Sequence, residues 1–117
     1  MALTSGNQFL EELPMLEKFR SYNLSVSFYH EISTVRLPPH LRSQLLRAAS
    51  SISLGLAEGY GRKTFADKTR FYQMALGSLR ESQAVIQLAK ISSPKVKDMA
   101  DHLGACLYKL TNVPPPR

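Results

Sequence analysis

The segment whose residue types are best suited to bind a ligand is 59–64, which reads G-Y-G-R-K-T. Two glycines, two cations and a predicted helix start could hold a phosphate, because free backbone N–H groups and the positive end of a helix attract anions. The segment lacks the G-x-x-x-x-G-K-[ST] spacing of a P-loop, and no predicted strand precedes it. A plain turn is therefore favoured, in which Gly59 takes the left-handed conformation that ends one helix and Thr64 caps the next.

Polar side chains recur at seven-residue spacing in the segment before this turn. Gln44, Ser51 and Glu58 therefore share one face of a predicted helix. One interpretation is a catalytic carboxylate with a shifted pKa, and the other is a hydrogen-bonded ion-pair network that fixes helix register. The structural interpretation is favoured, because paired-charge networks shift pKa values without implying catalysis. The predicted network, in which the two arginines are expected to reach the carboxylates, consists of Gln44, Arg47, Ser51, Glu58, Arg70, Ser78 and Glu81.

Spacings typical of metal sites and nucleophilic catalysis do not occur in the sequence. The three histidines are scattered, without an H-E-x-x-H motif or Cys/His ligand spacing. Cys106 falls on the apolar stripe of a predicted helix and is expected to be a small core residue rather than a nucleophile. We therefore expect no enzymatic activity, no bound metal and no cofactor.

Positive charge is concentrated in the middle of the chain. The 117 residues carry a net charge of +6, and residues 36–70 alone carry +5. Such a segment attracts phosphate backbones or an acidic protein, although a solvated charged surface is the simpler explanation. Tyr60 is either a ring that stacks on a base or one that packs on the end of the fold. The residues predicted to contact RNA or DNA are Arg36, Arg42, Tyr60, Arg62, Lys63 and Lys68.

No segment has the pattern of a membrane anchor or an export signal. No apolar run approaches the ~20 residues that span a bilayer, and the first residues lack a basic-then-apolar pattern. Cys106 is the single cysteine and cannot form an internal disulfide, which fits a reducing compartment. The sequence predicts a cytoplasmic protein that does not contact membranes.

The elements that must position these residues are four helices, with no competing strand pattern. Prolines, the glycine turn and the Ser92-Ser93-Pro94 segment separate them, so the connections are short. These features predict an all-α fold, an antiparallel up-down-up-down four-helix bundle. The predicted helices cover residues 14–35, 40–58, 65–91 and 96–110. The predicted organisation is a flexible N-terminal arm at 1–13, the bundle at 14–113 and a Pro-rich tail at 114–117.

The first predicted helix carries two apolar stripes on nearly opposite sides. A small domain can bury one stripe in its core, and large exposed apolar strips are rare on monomers. Assembly with further copies of the chain is therefore favoured, although a broad intramolecular core or the N-terminal arm would also cover both stripes. The first stripe comprises Met15, Phe19, Tyr22, Val26 and Tyr29, and the second comprises Leu24, Phe28, Ile32 and Val35.

Three motifs, in this order, resemble a known bacterial family. They read S-Q-L-L-R-A-A-S-S-I at 43–52, L-A-E-G-Y-G-R at 56–62 and R-F-Y-Q-M-A-L-G-S-L-R-E at 70–81. They are similar to the four-helix bundle proteins encoded within intervening sequences of bacterial 23S ribosomal RNA genes, also described as ribosomal-protein-like. The chain further resembles the accessory variability proteins of diversity-generating retroelements, which are basic pentameric bundles that bind nucleic acid and a reverse transcriptase.

The resemblance implies a homopentamer with a non-enzymatic role, and RNA, DNA, a reverse transcriptase or another protein as partners. A structural or protein-interaction ring that binds no nucleic acid is the alternative. The chain departs from the family pattern at Ser53, where the family has proline, at Gly55, where it has asparagine, and at Gln83, where it has glutamate. The proline kink and the asparagine hydrogen bond of the family are therefore not expected here.

Overall fold

The fold consists of four helices in the part of the chain that the computed structural model describes, Leu16 and residues 18–116. No strand occurs among these residues, so the predicted all-α fold is confirmed. The predicted arm at 1–13 and the predicted helix start at Pro14 lie outside the described residues. The helices are α1 (Arg20–Ile32), α2 (Pro39–Tyr60), α3 (Phe65–Leu88) and α4 (Pro94–Thr111).

Each helix packs against two others, and α2 with α3 is the most extensive pair. Along this pair, Gln44 faces Glu81 and Gly59 faces Tyr72, so the sequence positions run in opposite directions. The first and last helices, α1 and α4, are joined by an ion pair of 3.2 Å between Glu31 and Lys95. The connections before α2 and before α4 therefore lie at the same end of the bundle.

Aliphatic side chains from all four helices fill the core. Small residues keep α2 thin, and a Cβ added at Gly55 would lie 3.4 Å from the Cβ of Ala75 on α3. This spacing is ordinary contact distance, which shows that the two backbones approach closely. The largest fully buried apolar side chains are Phe28, Ile32, Leu45, Ile52, Leu56, Leu79, Leu103 and Leu107.

The helix α1 is shorter than the sequence predicted. Phe19 is extended (φ −80°, ψ 104°), so the helix begins at Arg20 rather than running through from Pro14. It ends at Ile32 because the Ser33 and Thr34 hydroxyls donate to the carbonyls of Tyr29 and Glu31, which competes with helix continuation.

Both apolar stripes of α1 contribute to the core. Phe28 and Ile32 are buried, and Tyr22 and Leu24 from the two stripes are half-buried against the same cluster. Met15 lies outside the described residues. A broad intramolecular core therefore covers much of both stripes, and oligomerisation stays a prediction.

The left-handed residue predicted at Gly59 is instead found at Lys90. Gly59 is a buried residue inside α2, and no glycine among the described residues has a positive φ. A Cβ at Gly59 would lie 2.7 Å from Cε1 of Tyr72, so this glycine permits close packing rather than a turn. The predicted cap at Thr64 is confirmed, because its hydroxyl accepts a hydrogen bond of 3.1 Å from the Asp67 N–H.

Candidate nucleic-acid interface

The six residues predicted to contact nucleic acid lie at two opposite ends of α2. One end, here called the basic end, consists of the connections at 33–38 and 89–93 with the first turns of α2 and α4. The other, here called the glycine-turn end, consists of residues 59–64 with the first turns of α3. The 22 residues of α2 separate the two ends by roughly 33 Å. Arg36 and Arg42 belong to the basic end, and Tyr60, Arg62, Lys63 and Lys68 to the glycine-turn end.

Arg42 stabilises the end of α1 through hydrogen bonds. Its guanidinium donates to the carbonyl oxygens of Ser33 and Val35, each at 3.1 Å, and the residue is half-buried. These carbonyls follow the last turn of a helix and lack intrahelical partners. A phosphate would have to displace both bonds, so Arg42 serves the fold first.

Lys68 has the corresponding role at the end of α2. Its ammonium donates to the carbonyl of Tyr60 at 2.9 Å and to that of Gly59 at 3.3 Å. A cation at a helix C-terminus satisfies orphan carbonyls and complements the helix dipole. The ammonium also lies 5.6 Å from the centre of the Tyr60 ring.

Tyr60 packs on the end of the bundle. Its ring stacks on Phe19, with 5.1 Å between the ring centres, and Phe19 in turn lies 5.9 Å from Tyr72. Burial raises the pKa of the Tyr72 phenol, and the neighbouring Tyr60 raises it further. Of the two interpretations of Tyr60, its placement fits packing on the fold rather than an open stacking platform.

Arg62 is engaged on two sides. It forms an ion pair with Glu58 one helical turn earlier, and its guanidinium carbon lies 4.6 Å from the centre of the Phe71 ring. Arg70 lies at the same distance from that ring and is 3.9 Å from Asp67. Lys63, by contrast, is exposed and has no ion pair among the described residues. Two of the four cations at the glycine-turn end, Arg62 and Arg70, are therefore paired with a carboxylate, and Lys68 is bonded to carbonyl oxygens.

The basic end gathers cations that the sequence analysis did not single out. Lys90, Lys95 and Lys97 are exposed and join Arg36 there, and of these Lys95 pairs with Glu31. The other three have no ion pair among the described residues. The charge count along the chain missed this cluster because Arg36 and Lys90 lie far apart in sequence. The first and third connections of an up-down bundle share one end, and that relation would have found it.

The residues of the predicted polar network line the surface where α2 and α3 meet. Gln44 donates to a Glu81 carboxylate oxygen at 3.5 Å, a long bond between exposed groups. The Ser51 hydroxyl donates within α2 to the Arg47 carbonyl at 2.9 Å. Arginine pairing differs from the expectation, because Glu58 meets Arg62 and Arg70 meets Asp67. These residues are exposed or half-buried, and the buried positions of the two helices are instead occupied by small residues, aliphatic side chains and the Tyr72 ring.

A shallow apolar groove lies among the residues of the predicted polar network, where α2 and α3 meet. Leu54 on α2 is 68% exposed and Met74 on α3 is 56% exposed. They line one groove together with Ser51, Glu58 and Ser78 from the predicted network. Large apolar side chains with this exposure are candidates for contact with another protein chain.

Several other kinds of site find no support in the described part of the chain. It contains no group of three or more His, Cys, Asp or Glu side chains placed to hold a metal ion. None of its helices is both long enough and apolar enough to cross a membrane. Cys106 is half-buried on α4.

The comparisons with known proteins agree with the helical architecture. The family model described as 23S rRNA-intervening sequence protein matches residues 17–113, which span all four helices. A search of curated proteins found no match to this chain. Because the match covers most of the sequence, the chain belongs to the 23S rRNA-intervening sequence protein family.

Proposed function

We propose that this protein is a non-enzymatic nucleic-acid-binding bundle that contacts RNA or DNA phosphates through its basic end. The observation that carries the proposal is the difference between the two ends in how many lysines and arginines are bound to other groups of the protein. Arg36, Lys90 and Lys97 lie exposed at one end without an ion pair among the described residues. Near the glycine-turn end, Arg62 and Arg70 pair with carboxylates and Lys68 bonds to carbonyl oxygens. Exposed lysine and arginine clusters bind phosphate backbones with little sequence preference and strong dependence on salt.

The test compares the two ends at equal change of charge. Arg36→Ala/Lys97→Ala removes two cations from the basic end. Lys63→Ala/Lys109→Ala removes two exposed cations from the opposite end, where Lys109 lies in the last turn of α4. Binding of a labelled RNA single strand and of a DNA duplex is followed by fluorescence anisotropy at about 50 mM and about 200 mM salt.

We expect the first double variant to lose roughly 10-fold in affinity, with a salt slope smaller by about 1.4 to 1.8. The second double variant is expected to lose much less. Equal losses in both variants would contradict the assignment to the basic end. Absence of binding to any polynucleotide at low salt would contradict the proposal and favour an interaction ring without nucleic-acid binding.

We further propose that the protein acts as a homo-oligomer that buries Leu54 and Met74 between copies. The support is the exposure of these two side chains on adjacent helices, together with the homopentamer implied by the family resemblance. Leu54→Glu should lower the mass measured by light scattering while helix content by circular dichroism is kept. An unchanged mass would contradict this surface, and a monomeric parent protein would contradict the oligomer. A reverse transcriptase or another protein remains a candidate for the outer surface of such a ring.

A further inference from the structure

The basic end contains a cavity of about 470 Å³ between the last turns of α3 and the first turns of α4. This volume lies in the range of sites that hold small organic ligands. Two buried isoleucines, Ile86 and Ile91, contribute apolar surface to it. The cavity lies beside the exposed lysines described above, so it is continuous with the surface assigned to phosphate binding.

The polar side chains that line the cavity differ in charge between its inner and its outer end. Because α3 and α4 run in opposite directions, Gln83 and Asp101 lie at the inner level, away from the connection. Lys97 and Lys90 lie at the outer level, beside the connection, and Gln87 lies between the two levels. A ligand therefore meets a carboxylate and an amide at one end and two ammonium groups at the other.

Lys90 adopts a conformation that favours glycine. Its φ is 55°, and no other non-glycine residue in the described part of the chain has a positive φ. The strained turn is closed by two backbone hydrogen bonds of 3.1 Å, from Lys90 N–H to Gln87 and from Ile91 N–H to Ile86. Glycine would make the same bonds without strain, so the turn itself does not need a lysine. Strain of this kind is concentrated at functional sites, and here it places an ammonium at the mouth of the cavity.

We propose that this cavity holds one unstacked nucleotide of a single strand. The base lies on Ile86 and Ile91, and its phosphate lies between Lys90 and Lys97. Gln83, Gln87 and Asp101 bind the edge of the base, which presents both donors and acceptors and so matches amides and a carboxylate. A simple phosphate would leave these amides unused, and a fatty acid would meet an unfavourable carboxylate.

This inference rests on the proposed nucleic-acid binding, and its test separates the two. Three probes are used: a single-stranded RNA, a duplex of equal length and free nucleoside 5′-monophosphates. Gln87→Leu keeps the size of the side chain but removes its hydrogen bonds. Arg36→Ala, at the same end but not among the residues that line the cavity, is the matched control.

Gln87→Leu should lower single-strand affinity roughly 5-fold, the equivalent of about one hydrogen bond, and leave duplex affinity and its salt slope unchanged. Arg36→Ala should lower both affinities together. If Gln87→Leu leaves the preference for single strands unchanged while duplex binding persists, the cavity assignment is overturned and the phosphate interface stands. If free monophosphates bind in a Gln87-dependent way but no polynucleotide binds, the proposed function and its strand assignment are both overturned.

Lys90→Gly gives a second and independent test. Relief of the strain should raise the melting temperature by roughly 2–5 °C, while loss of the ammonium weakens single-strand binding several-fold. Lys90→Arg should retain the binding. A Lys90→Gly protein that is more stable and binds single strands as well as the parent would overturn the role of Lys90.

Discussion

The helices α2 and α3 both end in a turn that leaves carbonyl groups to be satisfied, and they solve this differently. At the end of α2, the carbonyls of Gly59 and Tyr60 accept hydrogen bonds from the ammonium of Lys68. At the end of α3, the carbonyls of Ile86 and Gln87 accept hydrogen bonds from backbone N–H groups. The first helix end adds a side-chain donor to its backbone bonds, whereas the second uses backbone bonds made by the left-handed conformation of Lys90 and leaves the Lys90 side chain exposed.

The difference follows from what each helix end must pack against. Gly59 cannot act as a left-handed turn residue, because it lies inside α2 against the Tyr72 ring and closes the contact with α3. The turn after α2 therefore contains no left-handed residue, and a cation from α3 adds donors to those of the backbone, where the Arg62 N–H also donates to the Gly59 carbonyl. At the other helix end, the turn through Lys90 returns the chain so that Ile91 is buried. Because backbone hydrogen bonds stabilise the end of α3, the side chain of Lys90 stays available to a ligand.

The largest expected effect is at Gly59. Gly59→Ala places a Cβ 2.7 Å from the Tyr72 ring, which is buried and held by Phe19, so it cannot move aside easily. We expect a loss of roughly 1–3 kcal/mol in the free energy of unfolding, typical of overpacking, measured by urea denaturation.

The matched control for this prediction is Gly61→Ala in the same turn. Gly61 has an ordinary φ of −83°, and an added Cβ would have no neighbour closer than 3.8 Å. This variant should change stability by less than about 0.5 kcal/mol. Equal stability of the two variants would show that the Tyr72 ring accommodates the added Cβ and that close packing does not require a glycine at this position.

A smaller effect is expected at Lys68. Lys68→Met keeps most of the side chain but removes both hydrogen bonds to the end of α2, and we expect a loss of about 1 kcal/mol in the free energy of unfolding. Lys97→Met at the basic end should change stability by less than about 0.5 kcal/mol, because Lys97 has no such bonds among the described residues. A loss at Lys97 as large as at Lys68 would remove the distinction between structural and exposed cations.

Patterns within one helix were readable from the sequence, whereas relations between helices were not. The all-α fold and the cap at Thr64 follow from local chemistry, and the structure has them. Arg42 and Lys68 were predicted to be available to nucleic acid. A sequence does not show which backbone carbonyls lie close to a side chain on an adjacent helix. Gly59 was misassigned for a related reason, since a glycine near a helix end suits a turn and a close contact equally well.

The cavity at the basic end had no signal in the sequence. Lysine has little tendency toward the left-handed conformation, so nothing marked Lys90 as a turn residue. Gln83 was noticed only as a departure from the family pattern, and the structure places it on the cavity wall. Ser53, another departure, has its hydroxyl 2.7 Å from that of Ser25 on α1, a contact that the family proline could not make.

The smallest expected effect is a pH dependence at the glycine-turn end. Burial, with a further contribution from Tyr60, raises the pKa of the Tyr72 phenol above its ordinary value of 10.0. The folded protein then holds this proton more tightly than the unfolded chain does. Its contribution to stability is fully present below pH 10 and is lost as the pH rises from there toward the pKa of the folded state.

Tyr72→Phe should therefore flatten the fall in the free energy of unfolding between about pH 9 and about pH 11. Lysines also titrate in this range, so the informative quantity is the difference in slope between variants. Tyr108→Phe, at an exposed position on α4, is the matched control for the loss of a phenol hydroxyl. A Tyr72→Phe slope equal to that of the parent would mean that the phenol is hydrated, and that the Phe19, Tyr60 and Tyr72 rings do not seal this end of the bundle.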